Sequence, residues 1–230
     1  MRRSGGMDRP LFLIEDPTRG PLLAQALAAT LGEPVRPLHP SQTIPAIPGD
    51  FLIAAERPGR CGLELGGKLL QSAAGHRVLL WSPSPSDLYL RVARLLGFAG
   101  YLDCAASWAE NLRWLQAFRA GQEAWPPDLR ARADRFEAAI GDLLRKLRPE
   151  EAGRLADLAR PLPWKMRAAR WGMSREGARR AAQRLEEKFM VEGSEAVVAP
   201  AWAWGLLKAT PEGPVPAPAL LLALEALSHS

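Results

Sequence analysis

Basic side chains are concentrated between Arg160 and Lys188. This stretch holds nine basic residues against three acidic ones. Arginine presents several donors in a rigid fork that matches phosphate oxygens and the edges of bases. The composition therefore predicts binding to a polyanion, without bond-making chemistry. The basic residues are Arg160, Lys165, Arg167, Arg170, Arg175, Arg179, Arg180, Arg184 and Lys188.

The spacing within this stretch predicts two helices joined by a sharp turn. Gly172 can adopt the positive φ that ends a first helix, and Ser174 can cap the next helix by accepting from its free amides. In the second helix, small apolar residues recur at helical spacing and form a seam toward the first. These are Ala178, Ala181, Ala182 and Leu185. The pattern is typical of a DNA-binding helix-turn-helix.

The other face of the second helix supplies candidate contacts to DNA. Arg179 and Gln183, one turn apart, are predicted to reach base edges, while Lys165, Arg167 and Arg170 are predicted to hold the phosphate backbone. The alternative is an ordinary basic helix in solvent. The full predicted set is Lys165, Arg167, Arg170, Ser174, Arg175, Arg179, Arg180, Gln183 and Arg184.

The positive charge is confined to one part of the chain. Residues 1–128 hold 13 basic and 12 acidic residues, residues 129–191 hold 16 and 9, and residues 192–230 hold 1 and 4, within a total net charge of +5. This division indicates that one module faces a polyanion while the rest of the chain does not.

Several other classes of protein are disfavoured. Residues 1–9 lack an apolar signal region, and no apolar run approaches the roughly 18 residues of a membrane span. Cys61 and Cys104 are too few for a disulfide scaffold and fit a reducing cytoplasm. The three histidines, His39, His76 and His229, form no close-spaced pair. We therefore expect a cytoplasmic protein with no membrane contact, no cofactor, no metal and no enzymatic activity.

The first half alternates apolar runs with amphipathic helical patterns. This alternation over about 120 residues predicts an α/β fold with a doubly wound parallel sheet, followed by a mainly α domain. The predicted strands are 11–14, 51–55, 77–81 and 100–102, with 35–38 as a weaker candidate, and the predicted helices are 21–31, 63–72, 87–96 and 108–120.

Residues 10–122 resemble the receiver domain of response regulators. Glu15 and Asp16 follow the first strand, where receivers hold magnesium, and Ser82 matches the switch hydroxyl at the end of the fourth strand. Residues 58–65 are similar to the loop and helix that follow the phosphorylated strand, and residues 97–102 to the turn into the last strand. The resemblance implies a regulatory input domain.

The chain departs from receivers at the residues that carry their chemistry. The phospho-acceptor aspartate position falls on Ala54, or on Ala55 in a register one residue later, and the lysine position falls on Cys104. Because an alanine methyl is neither a nucleophile nor a metal ligand, we predict a pseudo-receiver whose control does not depend on phosphorylation.

Three alternatives at this site stay open. Glu56 could supply a permanent carboxylate, or it could be a solvated loop charge. Glu15 and Asp16 could still bind a cation weakly. Cys61 and Cys104 could form a redox switch, or they could be two unrelated thiols.

Residues 123–146 are predicted to be a linker containing a helix that begins near Leu129. Residues 147–213 resemble the helical DNA-binding domain of LuxR/NarL-type regulators over about 45 residues. Residues 189–192, 195–199 and 204–210 could form the strands of a wing, as in winged-helix repressors. The alternative is an irregular extension that covers the core with Trp202 and Trp204. The apolar tail 214–230 is predicted to be a stiff spacer, 214–218, and a helix that packs on its own chain or on a second copy.

The sequence thus predicts a transcription regulator in which a pseudo-receiver controls a DNA-binding module. The expected partners are double-stranded DNA, a second copy of the chain, and a protein partner at the pseudo-receiver. The competing hypothesis is a protein-interaction adaptor that presents its basic helices to an acidic surface.

Overall fold

The computed structural model describes residues 9–39, 45–54, 56–57, 60–72, 75–83 and 85–228; for residues 56, 57 and 60 it describes the backbone alone. The chain divides into two compact units. The first comprises residues up to 85 together with 93–133, and the second comprises 86–92 together with 134–230. None of the helices within the described ranges has the length and apolarity that crossing a bilayer requires.

The first unit is built on a five-stranded parallel sheet with the strand order β2-β1-β3-β6-β7. Its elements in chain order are β1 (Leu11–Ile14), α1 (Gly20–Leu31), β2 (Val35–Leu38), β3 (Asp50–Ala54), β4 (Glu56–Arg57), β5 (Arg60–Cys61), α2 (Gly62–Gln71), β6 (Arg77–Ser82), α3 (Asp87–Leu95), β7 (Gly100–Asp103) and α4 (Trp108–Arg119). The predicted α/β fold is therefore confirmed, including the weaker strand at Val35–Leu38. The hairpin β4–β5 lies where a loop and helix start were predicted.

Alternating residues of the strands pack on opposite faces of the sheet. Leu11, Leu13 and Leu52 belong to a core cluster with Leu27 of α1 and Phe118 of α4. The intervening residues of β1 and β3 are also buried. Because both faces are covered, the strands are continuously apolar, as parallel strands usually are.

Helix α2 approaches the sheet closely at a glycine. A Cβ atom at Gly66 would lie 2.4 Å from Phe98 Cε1 and 3.2 Å from Val78 Cγ1. A side chain there would force α2 away from β6, so the glycine sets the packing distance.

A buried ionic cluster, not predicted from the sequence, lies where the strands begin. Asp50, whose side chain is fully buried, accepts a hydrogen bond from Arg119 at 2.5 Å. Arg119 also binds both carboxylate oxygens of Glu33, at 2.6 and 2.8 Å. Arg9 and Arg77 each lie 3.7 Å from Asp50 Oδ1. Burial raises the pKa of Asp50 by more than the charges of Arg77 and Arg119 lower it.

The second unit is mainly helical. Its elements are α5 (Pro127–Lys146), whose residues 127–133 belong to the first unit, α6 (Pro149–Leu158), α7 (Trp164–Arg170), α8 (Arg175–Phe189), α9 (Val198–Ala203), β8 (Leu207–Thr210), β9 (Gly213–Pro216) and α10 (Pro218–Ser228). The unit also contains residues 86–92 from the start of α3, where Arg91 forms an ion pair with Glu137 of α5.

Two of the three predicted wing strands were wrong. Residues 189–192 do not form a strand, because buried Phe189 continues the apolar side of α8 and Met190 ends the helix with a φ of 54°. Residues 195–199 form a turn and the start of α9. The third strand is present as β8.

The predicted spacer at 214–218 was also wrong, since most of it forms β9. Strands β8 and β9 pair as an antiparallel hairpin in which Thr210 faces Gly213. Gly213 has a φ of 110°, which favours glycine at this tight turn. Helix α10 follows directly and buries Ala219, Leu220, Ala223 and Leu224.

Candidate functional site

The turn between α7 and α8 has the predicted local chemistry. Gly172 has a φ of 63°, and its amide donates to Ala169 O at 3.2 Å. The amide of Met173 donates to Ala168 O at 3.0 Å, which closes the end of α7. Ser174 Oγ accepts from the Gly177 amide at 3.0 Å and caps α8. Residues 168–177 therefore form the turn that joins α7 to α8 in a helix-turn-helix.

Helix α8 has one buried side and one exposed basic side. The apolar seam of Ala178, Ala181, Ala182 and Leu185 is at most 1% exposed. The basic face, as we call the exposed residues opposite this seam, consists of Arg175, Arg179, Arg180, Gln183 and Arg184. Because the alanines of the seam are small, α8 can pack close to its neighbours on that side. The long side chains of the basic face lie on the opposite side, which faces solvent.

Only part of the basic face is neutralised. Arg180 forms an i,i+4 ion pair with Glu176. Within the described residues, no carboxylate forms an ion pair with Arg175, Arg179 or Arg184, nor with Lys165 of α7, which is also exposed. These four cations are available to an external anion.

The structure corrects the role predicted for Arg167. Its side chain is buried, with 6% exposure, so it cannot hold a phosphate backbone. Its guanidinium donates to Leu158 O at 3.3 Å and Arg160 O at 3.1 Å, and lies 5.1 Å from the centre of the Trp164 ring. Arg167 therefore ties α7 to the end of α6.

Arg170 has an internal partner as well. Its Nε lies 2.8 Å from Asp157 Oδ1, and Trp171 Nε1 donates to the other oxygen of this carboxylate at 2.9 Å. The hydrogen bond to Asp157 raises the pKa of Arg170 above its usual value. The side chain of Arg170 is 51% exposed, so it is accessible to solvent although it is paired with Asp157.

A second acidic residue of α6 holds the far end of α8. Glu151, 4% exposed at its side chain, lies 2.5 Å from Lys188 Nζ, which also donates to Lys146 O at 2.7 Å. The same carboxylate accepts from the Arg148 amide at 2.8 Å. Lys188 is therefore part of the framework that fixes α8. The sequence signal for Glu151 and Asp157 is their position among the apolar residues of α6.

Removing the cap of α8 should lower stability without removing a charge. We expect Ser174→Ala to reduce the free energy of unfolding of the second unit by about 1 kcal/mol, because the Gly177 amide loses its acceptor. Thermal unfolding monitored by circular dichroism measures this change. Ser174→Asp, which can also cap a helix, is the control and should keep most of the stability. A loss as large with aspartate would contradict the capping role.

At the carboxyl edge of the sheet, the receiver-like positions carry little of the expected chemistry. Ala54 ends β3 and lies beside Trp81 of β6, whose Nε1 donates to Glu15 Oε2 at 3.0 Å. Asp16 Oδ1 accepts from the Thr18 amide at 2.9 Å. Ser82 is buried at the end of β6, and its carbonyl accepts from the Cys104 amide at 2.9 Å.

These residues do not fit a magnesium ion of the kind that receivers hold. Glu15 accepts a hydrogen bond from the Trp81 indole, and the side chain of Ala54 offers no ligand atom. Among the described residues, no group of three His, Cys, Asp or Glu side chains is arranged to hold a metal. Ala55 and the side chain of Glu56 lie outside the described residues, so the alternatives placed on them stay predictions.

The two cysteines are not joined in a disulfide. Cys104 is exposed, but partial desolvation of its thiol, with the charges of Asp103 and Glu15, raises its pKa to about 11. Since the thiolate is the reactive form, this environment disfavours the redox switch that the sequence left open.

The fold matches that of response regulators, with a receiver-like domain followed by a helical domain. Strand order 2-1-3-4-5 in a parallel sheet defines the first part, if the small hairpin is left out of the count. The helix-turn-helix of α7 and α8 defines the second.

Two solved structures share this arrangement. One, of the RcsB response regulator from Salmonella typhimurium, aligns with a TM-score of 0.55 and 13% identity over 85% of this chain and 100% of that one. The other, RcsB from Salmonella enterica serovar Typhimurium bound to a promoter in the presence of a phosphomimetic, gives 0.52 and 15% over 84% and 97%. No protein-family model and no curated protein sequence matches the chain.

Proposed function

We propose that this protein is a DNA-binding transcription regulator of the response-regulator type. The observation that supports the proposal best is the basic face of α8, which is exposed and lies opposite a buried alanine seam. Three of its arginines, Arg175, Arg179 and Arg184, form no ion pair with an acidic residue that the structure describes. A recognition helix requires this division, since one side must pack and the other must enter a groove. The promoter-bound RcsB structure supports the same function for a protein of this fold.

The contacts can be divided by position along α8. Arg175, Arg179 and Gln183 follow one another at i,i+4 spacing, and we assign Arg179 and Gln183 to base edges. Arg180 and Arg184 form a second row, for which phosphate contacts are the better fit because Arg180 is already paired with Glu176. Lys165 on α7 would contact the backbone across the groove.

The test is fluorescence anisotropy of a labelled mixed-sequence duplex titrated with the full chain at several salt concentrations. Each phosphate neutralised should contribute about 0.9 to the slope of log affinity against log salt. The three phosphate contacts assigned above, from Lys165, Arg180 and Arg184, predict a slope of about −2.7 by that rule. No binding at low salt would reject the proposal and favour the protein-interaction adaptor.

We further propose that control of DNA binding does not require phosphorylation. Ala54 lacks the oxygen that would form an acyl phosphate, and Cys104 replaces the lysine. Incubation with acetyl phosphate and magnesium is expected to add no phosphoryl group by intact mass and to change DNA affinity by less than about twofold, which is about 0.4 kcal/mol. A response regulator with its acceptor aspartate serves as the positive control. A phosphorylated species of this chain would overturn this part of the proposal.

We also propose that the protein acts on DNA as a homodimer, as two half-sites would require. Helix α10 offers an apolar surface for this, with Leu221 46% exposed beside its buried face. Sedimentation velocity of the wild type and of Leu221→Glu, with and without DNA, tests the assignment. The pseudo-receiver remains the proposed site for a protein partner.

A further inference from the structure

A cavity of ≈190 Å³ opens in the first unit near the carboxyl edge of the sheet. Its deep wall consists of core residues that are at most 2% exposed: Leu27, Leu52, Leu102 and Leu115. Its outer wall includes Trp81, Cys104 and Trp108, and the Trp108 side chain is 48% exposed. The cavity thus reaches from the surface into the apolar core.

None of the described residues that line the cavity has a charged side chain. Cys104 contributes a neutral thiol at ordinary pH, because partial desolvation raises its pKa to about 11. Asn111 is the one amide in the lining, and its Nδ2 donates to Asp103 O at 2.9 Å and Ala106 O at 3.4 Å. Its Oδ1 makes no hydrogen bond within the described residues and can therefore accept one from a ligand.

We infer that this cavity binds a small uncharged aromatic molecule of one or two rings that carries an N–H or O–H donor. The size is suitable, since an apolar protein cavity of about 150 Å³ takes up benzene. The indole of Trp81 and the ring of Trp108 offer aromatic surfaces, and Asn111 Oδ1 offers one acceptor for orientation. A phosphate or a carboxylate would meet no cation in this lining.

The cavity lies beside positions that resemble the switch residues of receivers. Trp81 directly precedes Ser82, and Cys104 occupies the position of the receiver lysine. The edge of the sheet that would respond to a phosphoryl group in a receiver therefore borders an apolar cavity here. The inference concerns binding in the first unit and does not depend on the proposed DNA binding.

The probes are indole and, as a charged comparison of similar size, benzoate. We expect isothermal titration calorimetry and ligand-observed NMR with the full chain to give indole a dissociation constant below about 1 mM, as is reasonable for a ligand of this size. Benzoate should bind at least about tenfold more weakly, because its carboxylate would be desolvated without a partner.

Two variants fill the cavity from different sides. Leu112→Phe and Ala106→Leu each place extra carbon atoms at lining positions and should weaken indole binding by at least about tenfold. Leu22→Phe is the control, because it makes the same kind of change at a position on α1 that is 71% exposed and outside the cavity. This variant should bind indole as tightly as the wild type does. Circular dichroism shows whether each variant is folded.

The result that supports the inference is loss of indole binding in a folded cavity variant with binding retained in Leu22→Phe. Two results overturn it: no binding to the wild type at millimolar indole, or equal binding to the wild type and both cavity variants. Benzoate binding as tightly as indole would also overturn it.

Discussion

Arg179→Ala is expected to weaken binding to a preferred duplex by about 10- to 100-fold and to relax the choice of one base pair, since a bidentate base contact is worth about 1–3 kcal/mol. Arg179 is exposed, one turn from Gln183, and no carboxylate among the described residues forms an ion pair with it. Anisotropy titrations with the preferred duplex and with single-base variants of it measure both effects.

The matched control is Arg135→Ala on α5. Arg135 is also an exposed arginine, so the variant loses the same charge away from the helix-turn-helix. We expect Arg135→Ala to change affinity by less than about threefold, through the general electrostatic field alone. If the two variants lost affinity equally, net charge would account for binding and the assignment of α8 as the recognition helix would be wrong.

The ion pair on the basic face adds a prediction of opposite sign. Arg180 is held by Glu176, so part of its charge is already neutralised. Glu176→Gln should free Arg180 for phosphate and increase affinity by about two- to fivefold, with a steeper dependence on salt. A decrease would mean that Glu176 itself contacts the DNA, for example by accepting from a cytosine amino group.

The parts that could be predicted from the sequence depend on short-range chemistry. The glycine at 172, the serine at 174 and the alanine spacing of α8 act within a few residues, so their roles can be read locally. Alternation of apolar runs and amphipathic helices predicted the parallel sheet in the same way. The hairpin β8–β9 was missed because its second strand holds two prolines, which usually argue against a strand.

The sequence does not show which basic side chains are held by partners inside the protein. Arg167, Arg170 and Lys188 are all basic residues of the DNA-binding module, and a count of charges treats them alike. Arg167 is buried against backbone carbonyls, whereas Arg170 and Lys188 pair with Asp157 and Glu151, 13 and 37 residues away. Only the packing of α6 against α7 and α8 separates these structural cations from the available ones.

The cluster around Asp50 was missed for the same reason, and it leads to the largest stability effect that we expect. Arg119→Met should lower the free energy of unfolding of the first unit by about 3–5 kcal/mol, because it leaves a buried carboxylate with weaker partners. The side chains of Asp50 and Arg119 are 0% and 9% exposed, and the lost contacts include the 2.5 Å bond to Asp50 and two bonds to Glu33. Urea denaturation of the full chain measures the change.

The control for this variant is Arg113→Met on the same helix. Arg113 is exposed, so its replacement should cost less than about 0.5 kcal/mol. The double variant Arg119→Met/Asp50→Asn should recover part of the loss, because it removes the charge that was left without its partner. If the double variant were as unstable as the sum of the two single variants, the residues would not be coupled.

The dependence on pH provides an independent check of the same mechanism. Burial already raises the pKa of Asp50 above 3.8, and losing the positive charge of Arg119 should raise it further. Between 3.8 and this higher folded-state pKa, the folded chain binds more protons at Asp50 than the unfolded chain does. Stability from this group therefore falls as pH rises through that range and returns on acidification. The free energy of unfolding of Arg119→Met should thus be closer to that of the wild type at about pH 5 than at about pH 7. For Arg119→Met/Asp50→Asn, the difference from the wild type should not shrink on acidification in this way.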